Sequence, residues 1–519
     1  MTERSRWCTL IAVLVLIAPP LAGCFRSRQS TYRDVRHGRT RSYRRWREAE
    51  DTEDLPQLEG KLGVEDAARV ALAFNKSLRN VAQEKARAEG RLVEAYSEAL
   101  PTLELSADYT RLDQIFVVDL GVESFQVGDK NNWGYQVNLN QPLFKGGSIP
   151  AAVRGAQLFR YASDETVRRA VQDVLFQVAN AYYDALLAQH LVSVQEDALR
   201  FAEANLNDVR ARAEQGMAIR YDVLRAELEV SNVKADLISQ RNERDRALTA
   251  LLRAMGVSQK SEVQLSDAMT YLPTEPSYDR AVELAYRNRP DLYQRELNLR
   301  LEREVLKGLK SEYWPSLEAW GWFRWAKPDP HEASNIEWDR QWQAGLALSW
   351  TLFDGLKREG RILQQKAVLR QSAIVLTDTE QKVLQEVRNA ILDLKNAREL
   401  VQSQRLNLVQ ANEGLRLVTI GAREGVNTEL EVLDARAALT RARGRYYEAL
   451  HSHVLARIRL QRAVGMLGPP PGEGEVPTEG PPPGVIEEFA KSEQARPPLP
   501  AEGPAAEPAA QQRSGGGQD

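Results

Sequence analysis

The hydrophobic pattern of this chain has two periods, and each appears twice. In the second half Val387, Leu394, Val401, Leu408 and Leu415 recur every seven residues. Ala390, Ala397, Gln404, Ala411 and Val418 fill the positions three residues later. Moving 209 residues upstream gives Val178, Ala185, Val192, Leu199 and Leu206, with Ala181, Ala188, Gln195, Ala202 and Val209 beside them. An apolar seven-residue repeat with small companions predicts coiled-coil helices that approach closely. The predicted helices run from about 150 to 213 and from about 358 to 421. At ~1.5 Å per residue each spans roughly 95 Å, too long for a compact globule. They predict a rod or the wall of a tube. Each helix turns at a glycine, Gly216 or Gly425, and a second helix returns to about 256 or 465.

Between the helices the period drops to two. Leu103, Leu105, Ala107 and Tyr109 alternate with Glu104, Ser106, Asp108 and Thr110. Trp133, Tyr135, Val137 and Leu139 alternate with Gly134, Gln136, Asn138 and Asn140. The second half repeats this with Leu317, Ala319, Phe323 and Trp325, then Trp342, Ala344, Leu346 and Leu348. Trp320 and Trp322 interrupt the polar face of the third strand. Such alternation predicts strands with one apolar and one polar face. Seven of the ten tryptophans lie between Trp314 and Trp350, and aromatic girdles beside alternating strands are a feature of membrane barrels. Four strands of ~10 residues are long enough to cross a tilted bilayer but too few to close a barrel. The barrel reading therefore requires several chains. A soluble strand sandwich capping a coiled coil satisfies the same pattern.

The repeat divides the chain. A first unit covers 61–263, with a strand hairpin at about 102–144. A second covers 276–467, with a hairpin at about 315–353. Residues 468–519 hold 12 of the 24 prolines and predict a disordered tail. At the other end, Arg4 and Arg6 precede a short apolar run that ends in Leu21-Ala-Gly-Cys24. This predicts a lipoprotein signal peptide over 1–23 and an acylated Cys24; an ordinary secretory signal with an incidental cysteine is the alternative. In the basic arm 24–60, nine arginines and no lysine lie between Arg26 and Arg47. The arm suits pairing with lipid phosphates, or stands as a solvated leader.

Net charge is −3 over 519 residues and does not point to nucleic acid. Cys8 and Cys24 are the only cysteines, so no disulfide framework holds the mature chain. The five histidines are scattered. No phosphate loop, nucleophile elbow or clustered Cys/His site appears, so the sequence offers no catalytic residue, cofactor or metal site and predicts no enzyme.

The duplicated helix–hairpin–helix unit, the lipobox, [QW]-[PT]-LF-x-G after each hairpin (Gln141–Gly146, Trp350–Gly355) and G-x5-[DE]-V-L at each helical turn together resemble the TolC-like outer membrane efflux family. The resemblance covers about 61–467. It implies an α+β membrane protein: a long α-helical coiled-coil barrel plus four transmembrane strands per chain, closed as a 12-stranded barrel in a homotrimer. It implies an outer-membrane, lipid-anchored exit duct of a tripartite efflux pump or type I secretion system, with a periplasmic adaptor and an inner-membrane transporter of RND, ABC or MFS type as partners. It further implies that Gly216, Asp222, Val223, Leu224, Gly425, Asn427, Val432 and Leu433 lie at adaptor-contacting turns. Glu431 and Asp434 would ring the periplasmic gate. Asn427 stands where the best-known member has a basic residue that helps hold the gate shut.

The residues themselves allow a second use of Glu431, because Thr428-x-x-Glu431 fits a capping box. Asp434 lies too far into the helix for that role. The competing function is a lipid-anchored periplasmic coiled-coil scaffold without a pore. An adaptor subunit fits less well, since this chain has two helical hairpins and amphipathic strands. The cargo is not legible.

Overall fold

A computed structural model describes residues 28–48, 56–119, 124–332 and 335–468. The predicted signal peptide, Cys24 and all but the first residue of the predicted tail lie outside the described residues. The elements in chain order are α1 (Arg28–Glu48), β1 (Glu59–Leu62), α2 (Val64–Phe74), α3 (Lys76–Ser97), β2 (Thr102–Arg111), β3 (Phe116–Asp119), β4 (Ser124–Val127), β5 (Asn131–Lys145), α4 (Ser148–Glu214), α5 (Arg220–Met255) and β6 (Glu262–Leu265). The second repeat follows as α6 (Tyr278–Asn288), α7 (Pro290–Lys310), β7 (Ser316–Lys327), β8 (Asp339–Ser349), α8 (Lys357–Arg423) and α9 (Glu429–Ala463). The arginine-rich arm is therefore helical over Arg28–Glu48, with residues 32–44 exposed.

The two long helices, α4 and α8, are each 67 residues, about 100 Å. Their seven-residue seam is the buried face. Val387, Leu394, Val401, Ala390 and Ala397 are buried, and Gln404, Leu408, Ala411, Leu415 and Val418 are half-buried between exposed neighbours. In the second repeat this seam packs against Ala281 and Ala285 of α6, Leu292 of α7, and Ala456 and Leu460 of α9. In the first repeat Ala202, Leu206 and Val209 of α4 meet Val223, Ala226, Val230 and Val233 of α5. Small side chains at these positions let the paired helices lie close.

Four strands form one antiparallel sheet in the order β2-β5-β7-β8. The central pairing, β5 with β7, joins the two repeats. Gln136 faces Arg324, which faces Gln341, so the polar sets share one side of the sheet; Tyr135, Trp325 and Arg340 align on the other. The ladder places Trp320 and Trp322 on the polar side, opposite Gly345 and Gln343. The β7 strand forms despite that break because it is hydrogen-bonded on both edges. Arg324 reaches over β5 to Asp108 at 3.2 Å. Gly134 lies beneath that pair, where a Cβ would stand 2.6 Å from both side chains. The first and last strands, β2 and β8, are the edges. Their apolar sides stay exposed, with Leu103 at 73% and Leu346 at 69%.

Two features were not read from the pattern. One is the parallel pair of β1 with β6, in register from Glu59–Glu262 to Leu62–Leu265. The other is the small β3–β4 hairpin inside the first long loop.

The repeat is kept in atomic detail where the returning helices end. After α5, Gly256 has φ +79° and touches the α2–α3 junction; a Cβ there would lie 2.6 Å from the Phe74 carbonyl oxygen. After α9, Gly465 has φ +75° and touches the α6–α7 junction; a Cβ there would lie 2.8 Å from the Asn288 carbonyl carbon. At the paired positions, Asn75 donates from Nδ2 to the Ala254 carbonyl at 2.7 Å, and Arg289 donates from Nη1 to the Ala463 carbonyl at 3.1 Å. Both a positive φ and a close approach thus require glycine. Gly465→Ala is expected to lower stability by about 1–3 kcal/mol, read as a lower midpoint of thermal unfolding for the detergent-purified protein. Gly90→Ala, in a helix with open space around it, should not lower the midpoint.

Candidate functional site at the helical turns

Both long helices end in the same backbone device. Gly216 (φ +74°) and Gly425 (φ +75°) are left-handed. The Met217 N–H donates to the Arg212 carbonyl at 2.8 Å, and the Val426 N–H to the Gly421 carbonyl at 2.8 Å. These bonds satisfy carbonyls that a helix end leaves open. The chain then restarts within a few residues as α5 or α9.

The restart differs between the copies. Thr428 caps α9: its Oγ1 accepts from the Glu431 N–H at 3.3 Å, and Glu431 Oε2 accepts from the Thr428 N–H at 2.8 Å. Asn427 Nδ2 also donates to Glu431 Oε2, at 3.1 Å. Asn427 folds so closely over Gly421 that a Cβ at residue 421 would clash with its side-chain oxygen. The first turn keeps half of this arrangement. Asp222 Oδ2 accepts from the Ile219 N–H at 3.3 Å, but isoleucine has no side-chain acceptor to return the bond.

The Thr428 N–H, then Asn427, holds the Glu431 carboxyl below the usual carboxylate range. Within one chain this acid is thus stabilised as a carboxylate by donors. Asp434, one helical turn on, is exposed and makes no ion pair or hydrogen bond among the described residues. Arg225, which occupies the matching place in the first copy, is also exposed without an ion pair among the described residues. Arg212, in the last turn of α4, approaches Glu429 at 3.8 Å and also pairs with Asp208 at 2.7 Å. Both side chains are about half exposed and the distance is long, so the link between the turns is weak.

Not every predicted turn residue is available to a partner. Val223 and Val432 are 5% exposed and belong to the seams between paired helices. Both valines pack inward, because the adjacent residues of each V-L pair point to different sides of the helix. Leu224 is the outward member, at 49% exposure, and Leu433 is intermediate. The motif missed the larger apolar surface around it: Met217, Ile219 and Tyr221 at the first turn and Val426 and Leu430 at the second are all exposed. A run of bulky apolar residues between a glycine and an acid was the available signal.

Removing the cap tests this geometry. Thr428→Ala is expected to cost roughly 1 kcal/mol locally, seen as faster amide hydrogen exchange over the first turn of α9. Glu431 has a lowered folded-state pKa, so its contribution is fully present above the ordinary carboxylate pKa and is lost as pH falls through the lowered value. Amide protection at Thr428, relative to the intrinsic rate, should therefore fall only on the acid side of that range. Asp434→Asn should leave it unchanged; unaltered exchange in both Thr428→Ala and Glu431→Ala would contradict the cap.

A family model for outer membrane efflux proteins matches residues 67–257 and 281–466. The chain is 23% identical to the outer membrane protein TolC of Salmonella enteritidis over 428 residues, 80% of this chain and 83% of that one. It is 24% identical to the outer membrane efflux protein BepC of Brucella suis over 331 residues, 64% of this chain and 72% of that one. Among solved structures, the CmeC outer membrane channel of Campylobacter jejuni superimposes with a TM-score of 0.69 at 14% identity, covering 83% of this chain and 89% of that one. The two matched segments together span most of the sequence and coincide with its two structural repeats, so the chain belongs to the outer membrane efflux protein family.

Proposed function

We propose that the protein is the exit duct of an efflux or secretion system in the outer membrane, assembled from three copies of this chain. Membership of the outer membrane efflux family places it in that membrane and in that class of transport. The observation that supports the finer reading is the sheet. Its strands have one apolar side and one polar side that is broken at Trp320 and Trp322 of β7, and its first and last strands leave unpaired edges. Joining β8 of one copy to β2 of the next would pair every edge, and three copies give twelve strands around a polar lumen. A 67-residue helix follows each hairpin, long enough for a tunnel wall. Cys24, acylated, would anchor each chain in outer-membrane lipid.

At the far end, the exposed apolar residues of the two turns offer a docking surface for a periplasmic adaptor. An inner-membrane transporter would supply the energy. The carboxylates of the second turn would surround the axis. Glu431 is charged but tied to its cap, so on this reading Asp434 is the carboxylate free to meet a cation. Like charges gathered at a constriction attract cations.

Planar-bilayer recording tests this. The purified protein should conduct ions, migrate as a heat-sensitive trimer, and be blocked by divalent cations from the helical side. Asp434→Ala should weaken that block more than Glu431→Ala. Absence of conductance together with a soluble monomer after delipidation would instead fit a lipid-anchored scaffold.

A further inference from the structure

We infer that Asp329, His331 and Asp339 form a binding site for one first-row divalent metal ion, of the zinc type, in the connection between β7 and β8. The inference stands on one hairpin and does not depend on how many copies assemble.

The three ligand-bearing atoms lie within 4.8 Å of one another. His331 Nδ1 is 3.2 Å from Asp339 Oδ2 and 3.6 Å from Asp329 Oδ1. Two ligands ~2.0–2.1 Å from a common zinc ion at a tetrahedral angle stand roughly 3.3–3.4 Å apart. The two edges that share the imidazole therefore already have the length such a shell needs. The third edge, within 4.8 Å, would have to shorten on binding, and Asp339 is the more exposed of the two acids.

The surroundings hold the first ligand still. Asp329 is 10% exposed. Its Oδ1 accepts from the His331 N–H at 2.8 Å and the Glu332 N–H at 3.3 Å, and its Oδ2 accepts from Asn335 Nδ2 at 3.2 Å. These donors fix the orientation of the Asp329 carboxylate. The loop is closed by the Asp329 N–H, which donates to the Asn335 carbonyl at 3.0 Å. Asp339 is fixed by the ladder, opposite Ala326. Trp338 stacks on Tyr135 with ring centroids 5.6 Å apart, pinning the loop from the other side of the sheet.

The charge balance also favours a cation. Residues 327–340 contain Asp329, Glu332, Glu337 and Asp339 against Lys327 and Arg340, an acidic excess. Two carboxylates and one neutral imidazole carry two negative charges into a small space, and a divalent ion neutralises them. An imidazole with two carboxylates suits zinc and its first-row neighbours better than magnesium or calcium, which take all-oxygen shells. Three protein ligands leave a fourth position open for water or another donor.

Titration calorimetry of the full chain in detergent, purified with a tag free of histidine, tests the site. Zinc chloride should bind with one ion per chain at this site, and magnesium or calcium chloride at least tenfold more weakly. His331→Ala and Asp339→Asn should each remove that binding event while circular dichroism and oligomer migration stay as in the wild type. Asn335→Ala, which frees the Asp329 carboxylate, should weaken binding by roughly tenfold. No zinc uptake by the wild type, or uptake unchanged in His331→Ala, would overturn the site.

Discussion

A backbone N–H or C=O left unpaired in hydrocarbon costs several kcal/mol, because no water is there to replace the missing partner. The sheet of this chain meets that constraint at only two places, the free edges of β2 and β8. Between them the ladders run β2 with β5, β5 with β7 across the repeat boundary, and β7 with β8, with one bulge between Pro142 and Phe144. The apolar side of the edge strands is as exposed as the backbone, so neither surface is finished within a single chain. On the proposed reading, assembly with neighbouring copies would satisfy both at once.

Duplication supplies the wall with two similar pieces, and the structure keeps them in step through the same local chemistry. Gly256 and Gly465 let the ends of α5 and α9 lie against the junctions at Asn75 and Arg289, and each junction side chain reaches the carbonyl of the corresponding alanine. The repeats are then tied to each other by unlike contacts. Arg168 of α4 donates to the Asn288 carbonyl at 2.7 Å, Gln172 to the Gly465 carbonyl at 3.0 Å, and Asp108 meets Arg324 over Gly134. Because the copies sit in different surroundings, their turns can diverge. The second turn has a full cap and a free acid, Asp434; the first has half a cap and an arginine, Arg225.

The helices and the four main strands were legible because each carries a sustained period. The heptad at Val387, Leu394 and Val401 and the alternation at Leu103, Leu105 and Ala107 each repeat long enough to fix a face. The β1–β6 pair was not legible, since four residues at each of two places about 200 apart carry no period of their own. At the turns, the glycines and the Thr428–Glu431 cap could be read from spacing. The buried side of Val223 and Val432 could not, because the motif gives residue types without the helix rotation that decides which one packs. Asp329, His331 and Asp339 escaped for a similar reason. Scattered histidines look inert in sequence, and only the β7–β8 register brings Asp339 back to the Asp329–His331 pair.

The central claim is that the open edges of this sheet are completed by neighbouring copies. Cysteine cross-linking tests it directly, because the wild-type chain has only Cys8 and Cys24 and new cysteines can be placed one on β2 and one on β8. With residues of matching face, such as Ser106 and Gln343, scanned one position at a time along β8, oxidation should give covalent trimers at the matching register and none at positions on the opposite side. Only dimers at every position, or no cross-link in membranes at any register, would contradict a sheet closed by three copies.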